Sequence, residues 1–217
     1  MSTAIRFPST TGLELDDVKQ ALRSAVRDYR SSRSARQRHE AADAFAEHGV
    51  EAVGDVRCVA AYVSNATEPG TGALLDALHA RGITVLLPML GPGLARDWGE
   101  YRGSADLDLR APGRPPEPSG PPLGKDALGM AEAIIAPALA VDREGTRLGQ
   151  GGGWYDRALL TRRADIPVFA MVHAAELVEE QLLPWEEHDV RVDAVITEER
   201  WFLLDRSAQQ LDGRSAG

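Results

Sequence analysis

The chain has 217 residues, 43% hydrophobic and 26% charged, which is enough to bury a core without cross-links and unlike a disordered chain. Its net charge of −9, from 24 Lys+Arg against 33 Asp+Glu, argues against nucleic acid or an anionic membrane as partner and requires a local basic cluster for any polyanionic ligand. A lone cysteine, Cys58, excludes an internal disulfide and suits a reducing compartment.

Residues 1–15 read as a poorly ordered leader, polar over most of their length and without an apolar stretch of signal-peptide size. Asp16 or Asp17 is expected to cap a first helix starting near Val18, where Val18, Leu22, Ala25, Val26 and Tyr29 recur at helical spacing. Arg36 to His48 suits a second helix, ended by Gly49. Arg57–Ser64 is a nearly continuous apolar run, as expected of a strand covered on both faces. Thr71–Arg81 reads as a helix, Ile83–Leu87 as a strand, Ala133–Ile135 as a third strand, Trp154–Arg163 as a helix, and Val168–Val172 and Val192–Ile196 as further strands. Strands alternating with helices predict a three-layer α/β domain, Rossmann-like, with a mostly parallel sheet and helices on both faces. It is expected to span 16–203, with a polar tail over 204–217.

Residues 91–124 break the rhythm. Asp97–Tyr101 and Asp106–Leu109 are expected to pair as a short hairpin. The Pro-dense run from Arg114 to Pro122 cannot be interior helix or central strand; its composition favours a surface linker over a rigid loop along a site. Cys58 lies in an apolar run and reads as a small buried hydrophobe. No run of about 18 apolar residues occurs, so the protein is expected to be soluble and cytoplasmic. None of His39, His48, His79 and His173 has zinc-ligand spacing, and no structural metal is predicted.

The most informative segment runs from Arg147 to Arg157. Gly149, Gly151, Gly152 and Gly153 follow a strand and open a helix. Without Cβ atoms, such a loop lets backbone N–H groups converge on an anion. It is not a Walker A loop, because no Gly-Lys-Ser/Thr ends it, and it is not the dinucleotide fingerprint, because Trp154 stands at its last position. From the residues alone, a flexible surface turn and a phosphate cradle stay equally open. Arg147 and Arg157 at its flanks, with Asp156 as a hard oxygen one turn into the helix, tilt it towards the cradle.

Arg147-Leu148-Gly149-x-Gly151-x-Gly153-Trp154-Tyr155-Asp156 resembles the signature R-L-G-x-G-x-G-Y-Y-D of the 5-formyltetrahydrofolate cyclo-ligases, departing from it at Trp154. The resemblance spans roughly Lys19 to Asp193 and is weakest over 91–124. It implies an ATP- and Mg²⁺-dependent enzyme that cyclises 5-formyltetrahydrofolate to 5,10-methenyltetrahydrofolate, releasing ADP and phosphate. It places Lys19, Arg23, Arg147, Leu148, Gly149, Gln150, Gly151, Gly152, Gly153, Trp154 and Tyr155 at the nucleotide. Glu68 and Tyr155 fall to the folate, Arg147 and Tyr155 to the chemistry, and Asp156 and Asp189 to Mg²⁺. In the middle segment, where the resemblance does not assign the folate lining, Trp98, Tyr101 and Glu117 are the candidates for it. Lys19, Arg23, Arg27 and Arg30 share one helix face; the last two read as a solvated basic stripe, and His188 as a surface histidine. The expected partner is the small-molecule substrate alone, with no nucleic acid and no membrane, and the expected state is a monomer or weak homodimer. A sugar-phosphate or acyl-CoA enzyme of the same fold, or a non-catalytic folate or nucleotide binder, are the alternatives.

Overall fold

The apolar spacing of the first helix also carries a basic residue, and the fold uses it. The computed structural model describes residues 5, 7–9, 11–91, 95–110 and 112–204; much of the expected leader and nearly all of the expected tail lie outside them. In chain order the elements are α1 (Leu15–Ser32), α2 (Ala35–Val53), β1 (Cys58–Ala60), α3 (Gly72–Ala80), β2 (Thr84–Leu90), β3 (Arg96–Glu100), β4 (Leu107–Asp108) and β5 (Glu117–Pro118). They continue with β6 (Ala133–Pro137), β7 (Ala140–Asp142), β8 (Arg147–Leu148), α4 (Trp154–Leu159), β9 (Val168–Met171), β10 (Leu177–Val178), β11 (Ala194–Ile196) and β12 (Trp201–Leu203).

The central sheet has the order β12-β11-β9-β6-β1-β2-β3. Its five inner strands are parallel, and antiparallel β12 and β3 close its two edges. Because side chains alternate along a strand, β1, β6 and β9 feed two cores. Val59, Ile135 and Phe169 meet Phe45 of α2 and Leu74, Leu75 and Leu78 of α3 on one face. Ala60, Ile134 and Val168 meet Leu128 and the α4 residues Ala158 and Leu159 on the other. This is the expected three-layer α/β architecture. A smaller sheet, β10-β7-β8, packs Leu139, Ala140 and Leu148 under Leu22 and Val26 of α1. Ile5 and Phe7, from the expected leader, rest half-buried on the same cluster. Among the described residues, no helix is long and apolar enough to cross a membrane.

Several local expectations are corrected. Helix α1 starts at Leu15 after Glu14, and neither Asp16 nor Asp17 caps it; both sit in its first turn, where negative charge suits the helix N-terminus. Helix α2 is capped by Ser34 and Gln37 and runs through Gly49 to Val53, ending on Gly54 at φ 63°. Gly49 serves close packing instead, because a Cβ there would stand 2.8 Å from Leu74 Cδ1 of α3. Helix α4 stops at Leu159 rather than Arg163. The expected hairpin does not form: β3 pairs with β2, placing Gly99 opposite Leu87, and Leu107–Asp108 pairs with Glu117–Pro118. The Pro-dense run is a surface linker only in part: Arg114, Pro115, Ser119, Pro121 and Pro122 are exposed, but Glu117 and Pro118 are buried in β5. Arg30, assigned by spacing to a solvated stripe, is buried: it continues the Leu22–Val26 face and pairs with Glu176 through two 2.7 Å contacts.

Candidate functional site

In open parallel sheets, ligands sit beyond the carboxyl ends of the strands. Here the segments following β1 (Tyr62 and Val63), the end of β2 (Pro88 to Leu90) and the end of β6 (Pro137) bound a cavity of about 440 Å³. Glu68, Trp154, Tyr155 and Arg157 complete one wall, and Arg96, Arg114, Pro115, Pro116 and Glu117 the other. A second cavity of about 240 Å³ lies between α1, the glycine loop and the segment before β11. Lys19, Arg23, Arg147, Leu148, Gly149, Gly151, Gly153, Asp156 and Asp189 line it, together with Asp16, Glu186 and His188. The glycine loop is the partition, since Gly152 faces the larger cavity while Gly149, Gly151 and Gly153 face the smaller.

The loop's shape needs glycine at two points. Gly151 has φ 102° and Gly153 φ 60°, values that side chains rarely adopt. Helix α1 clasps the loop from outside: Arg23 Nε donates to Gly149 O at 3.0 Å, and Arg27 Nη2 to Gln150 O at 3.1 Å. Arg27 therefore does more than solvate a helix face, which corrects the expectation for it. Because α4 has six residues, the helix dipole adds little, and the charge of the smaller cavity comes from side chains.

Those side chains are anchored. Arg147 is buried, with Nη1 donating to Pro137 O at 3.2 Å and Nη2 paired with Asp156. Lys19 Nζ meets Glu186 Oε2 at 2.5 Å and Asp189 Oδ2 at 3.3 Å. Burial works to lower the Lys19 pKa, but Glu186 and then Asp189 outweigh it and raise it above its ordinary value. The ammonium stays charged in the neutral range. Glu186 is a partner that sequence reasoning missed; the acid-rich run Glu186-Glu187-His188-Asp189 was its only signal.

In the larger cavity Glu68 is 8% exposed. Its Oε2 accepts from Asn65 N at 2.8 Å, and its Oε1 accepts from Gln150 Nε2 at 2.9 Å. Tyr155 Oη donates to Ala61 O at 3.2 Å. Burial first, then Glu68, push the Tyr155 pKa well up against the opposing pull of Arg147, so the phenol remains a donor. Trp154 lies against Tyr155 with ring centres 4.9 Å apart and against Trp98 at 5.2 Å. Tyr62 Oη is buried without a hydrogen-bond partner among the described residues.

The structure thus brings Lys19, Arg23, Arg147, Asp156 and Asp189 together at one cavity and Glu68, Trp154 and Tyr155 at the other. The Gln150 side chain points to Glu68 and Arg27 rather than into the smaller cavity. Of the middle-segment suggestions, Glu117 lines the larger cavity, whereas Trp98 and Tyr101 lie in the core; Tyr101 Oη donates to Asp76. Arg96 went unread because β3 pairs with β2, and Arg114 because only the tertiary fold turns the proline-rich run back onto the sheet.

The family model described as "5-formyltetrahydrofolate cyclo-ligase family" matches residues 16–198. A Mycolicibacterium smegmatis protein named 5-formyltetrahydrofolate cyclo-ligase is 42% identical over 159 residues, covering 69% of this chain and 78% of its own. An Escherichia coli K12 protein of the same name is 32% identical over 142 residues, covering 64% and 76%. The solved structure of Aquifex aeolicus 5,10-methenyltetrahydrofolate synthetase superposes with TM-score 0.71 at 24% identity, over 87% of this chain and 93% of that one.

Proposed function

The chain belongs to the 5-formyltetrahydrofolate cyclo-ligase family, and from that premise we propose how its two cavities divide the reaction. The protein is an ATP-dependent cyclo-ligase that converts 5-formyltetrahydrofolate to 5,10-methenyltetrahydrofolate, ADP and phosphate. One observation carries the division: a small, highly charged cavity, where Lys19, Arg23 and Arg147 stand among carboxylates, and a larger, mainly apolar one meet across a single glycine loop. The smaller takes the ATP phosphates and the larger the pterin.

The formyl oxygen is a poor leaving group. In the first step it attacks the γ-phosphorus and the bond to ADP breaks. In the second, N10 attacks the formyl carbon, the carbon–oxygen bond breaks, and phosphate departs with the N10 proton. Phosphoryl transfer needs positioning and charge neutralisation more than covalent help. Lys19, Arg23 and the loop amides hold the phosphates. Arg147 is already fixed by Pro137 and Asp156, so its charge needs no reorganisation when the transition state forms. Glu68 accepts from the N–H edge of the pterin. Tyr155, protonated and standing at the end of the sheet, orients the formyl group.

Mg²⁺ fits the smaller cavity. Among the described residues, no group of three or more His, Cys, Asp or Glu is placed to hold a metal, but Mg²⁺ commonly takes one or two carboxylates with substrate phosphates and waters. Asp156 and Asp189 both line the cavity, each with one oxygen on a protein cation and a second turned elsewhere, that of Asp189 3.7 Å from His188 Nε2. Bound there with the nucleotide, the ion would neutralise phosphate charge. The protein is proposed to act in the cytoplasm, on small molecules alone, as a monomer or weak homodimer.

The test is turnover. Purified protein with Mg·ATP and 5-formyltetrahydrofolate is expected to form methenyltetrahydrofolate, followed by its near-ultraviolet absorbance, and to form none without ATP. Tight binding of both ligands with no product would instead make the chain a sensor.

A further inference from the structure

The reaction as divided above gives the Gln150 amide nothing to do. It belongs to the glycine loop, yet its side chain faces away from the phosphate cavity. Its Nε2 donates to Glu68 Oε1 at 2.9 Å. Its Oε1 accepts from Arg27 Nη2 at 3.2 Å, the nitrogen that also donates to the Gln150 backbone oxygen at 3.1 Å. One amide therefore joins helix α1, the partition between the cavities and the acid in the larger cavity's wall.

We propose that Gln150 is a positioning residue for the folate, acting through Glu68 and held in place by Arg27. The inference rests on the reading that Glu68 accepts the pterin edge. The terminal torsion of a glutamate is broad and roughly two-fold, so one donor on one oxygen leaves the carboxylate plane free to turn. Asn65 N supplies that donor on Oε2. Gln150 supplies a second on Oε1, and two anchors on two oxygens fix the plane. A carboxylate accepts about four hydrogen bonds, so each oxygen keeps a lone pair for a pair of parallel N–H donors. Arg27 orients the amide so that its NH₂, not its oxygen, meets Glu68. Loop and pterin acid are thereby one hydrogen-bonded unit.

The decisive measurement is calorimetric binding of 5-formyltetrahydrofolate and of ATP to the full chain and to Gln150→Met, which keeps the length and loses the amide. Gln150 is exposed, so the substitution leaves the core intact, and an unchanged unfolding midpoint verifies this. The folate dissociation constant is expected to rise about tenfold, the scale of one hydrogen bond to a charged group, with that for ATP unchanged within about twofold. In a Glu68→Gln background, adding Gln150→Met is expected to change folate binding by less than about twofold, because both act through one contact. Arg27→Met frees the loop backbone as well as the amide and is expected to weaken both ligands. Unchanged folate binding in Gln150→Met, additive losses in the double variant, or a loss confined to ATP each overturn the proposal. These constants are read without turnover, so an unmodified chain that binds folate but forms no product defeats the cyclo-ligase reading alone. One that binds no folate defeats both.

Discussion

Arg30 and Glu176 are the residues whose removal should be felt most. Their side chains are 1% and 0% exposed, and Arg30 Nη2 also donates to Ala138 O at 2.7 Å. Leaving one such charge buried without its partner costs about 3–5 kcal/mol. Arg30→Met or Glu176→Gln should lower stability by that order in denaturant unfolding, and a loss under about 1 kcal/mol would contradict the burial. Glu198 gives a pH signature. Burial pushes its carboxyl up, but His173 and nearby backbone N–H groups, Ala174 N among them, outweigh this and hold its pKa below the usual 4.5. A depressed carboxylate stabilises the fold above its unfolded pKa and loses that contribution as pH falls through the native value. Glu198→Gln should therefore destabilise at neutral pH, with the gap to the parent closing only below about pH 4.5; a gap independent of pH would contradict this. Cys58 is raised to about 11, chiefly by burial, so a thiol reagent should label it only after unfolding.

Among the elements, the β7–β8 turn leaves no room for a side chain at Gly145. Gly145 has φ 78°, and a Cβ there would strike the Val192 carbonyl. Gly145→Ala should cost about 1–3 kcal/mol, detectable as a lowered unfolding midpoint. The five parallel strands were legible in the sequence because each is a short apolar run bounded by turn residues. The ends of elements were less so. Gly49 looked like a helix stop, but the glycine is there for Leu74, a contact between helices that no local pattern reveals. Arg30 could have been read: it stands four residues after Val26, itself four after Leu22, on the apolar stripe of α1. Its charge argued for solvent, and Glu176, its buried partner, lies 146 residues away. Residues 91–124 were opaque for a different reason: β3 forms its hairpin backwards with β2 rather than forwards with 106–109, and both pairings are equally local in sequence.

Across the molecule, the two cavities predict two independent ligand effects. Either ligand at 100 times its dissociation constant should stabilise the fold by about 2.7 kcal/mol, visible as a raised unfolding midpoint. Asp156→Asn and Asp189→Asn should raise the KM for Mg·ATP about tenfold or more and leave folate binding intact; an unchanged Mg²⁺ dependence in both would remove the metal assignment. The glycine loop is clasped by α1 and faces both cavities. The most direct measurement is a crystal structure of the chain with a non-hydrolysable ATP analogue and 5-formyltetrahydrofolate. Phosphates are expected against Lys19, Arg23 and Gly151 and the pterin against Glu68 and Tyr155, with the γ-phosphate and formyl oxygen meeting across the loop. Phosphates in the larger cavity, or a pterin away from Glu68, would contradict this.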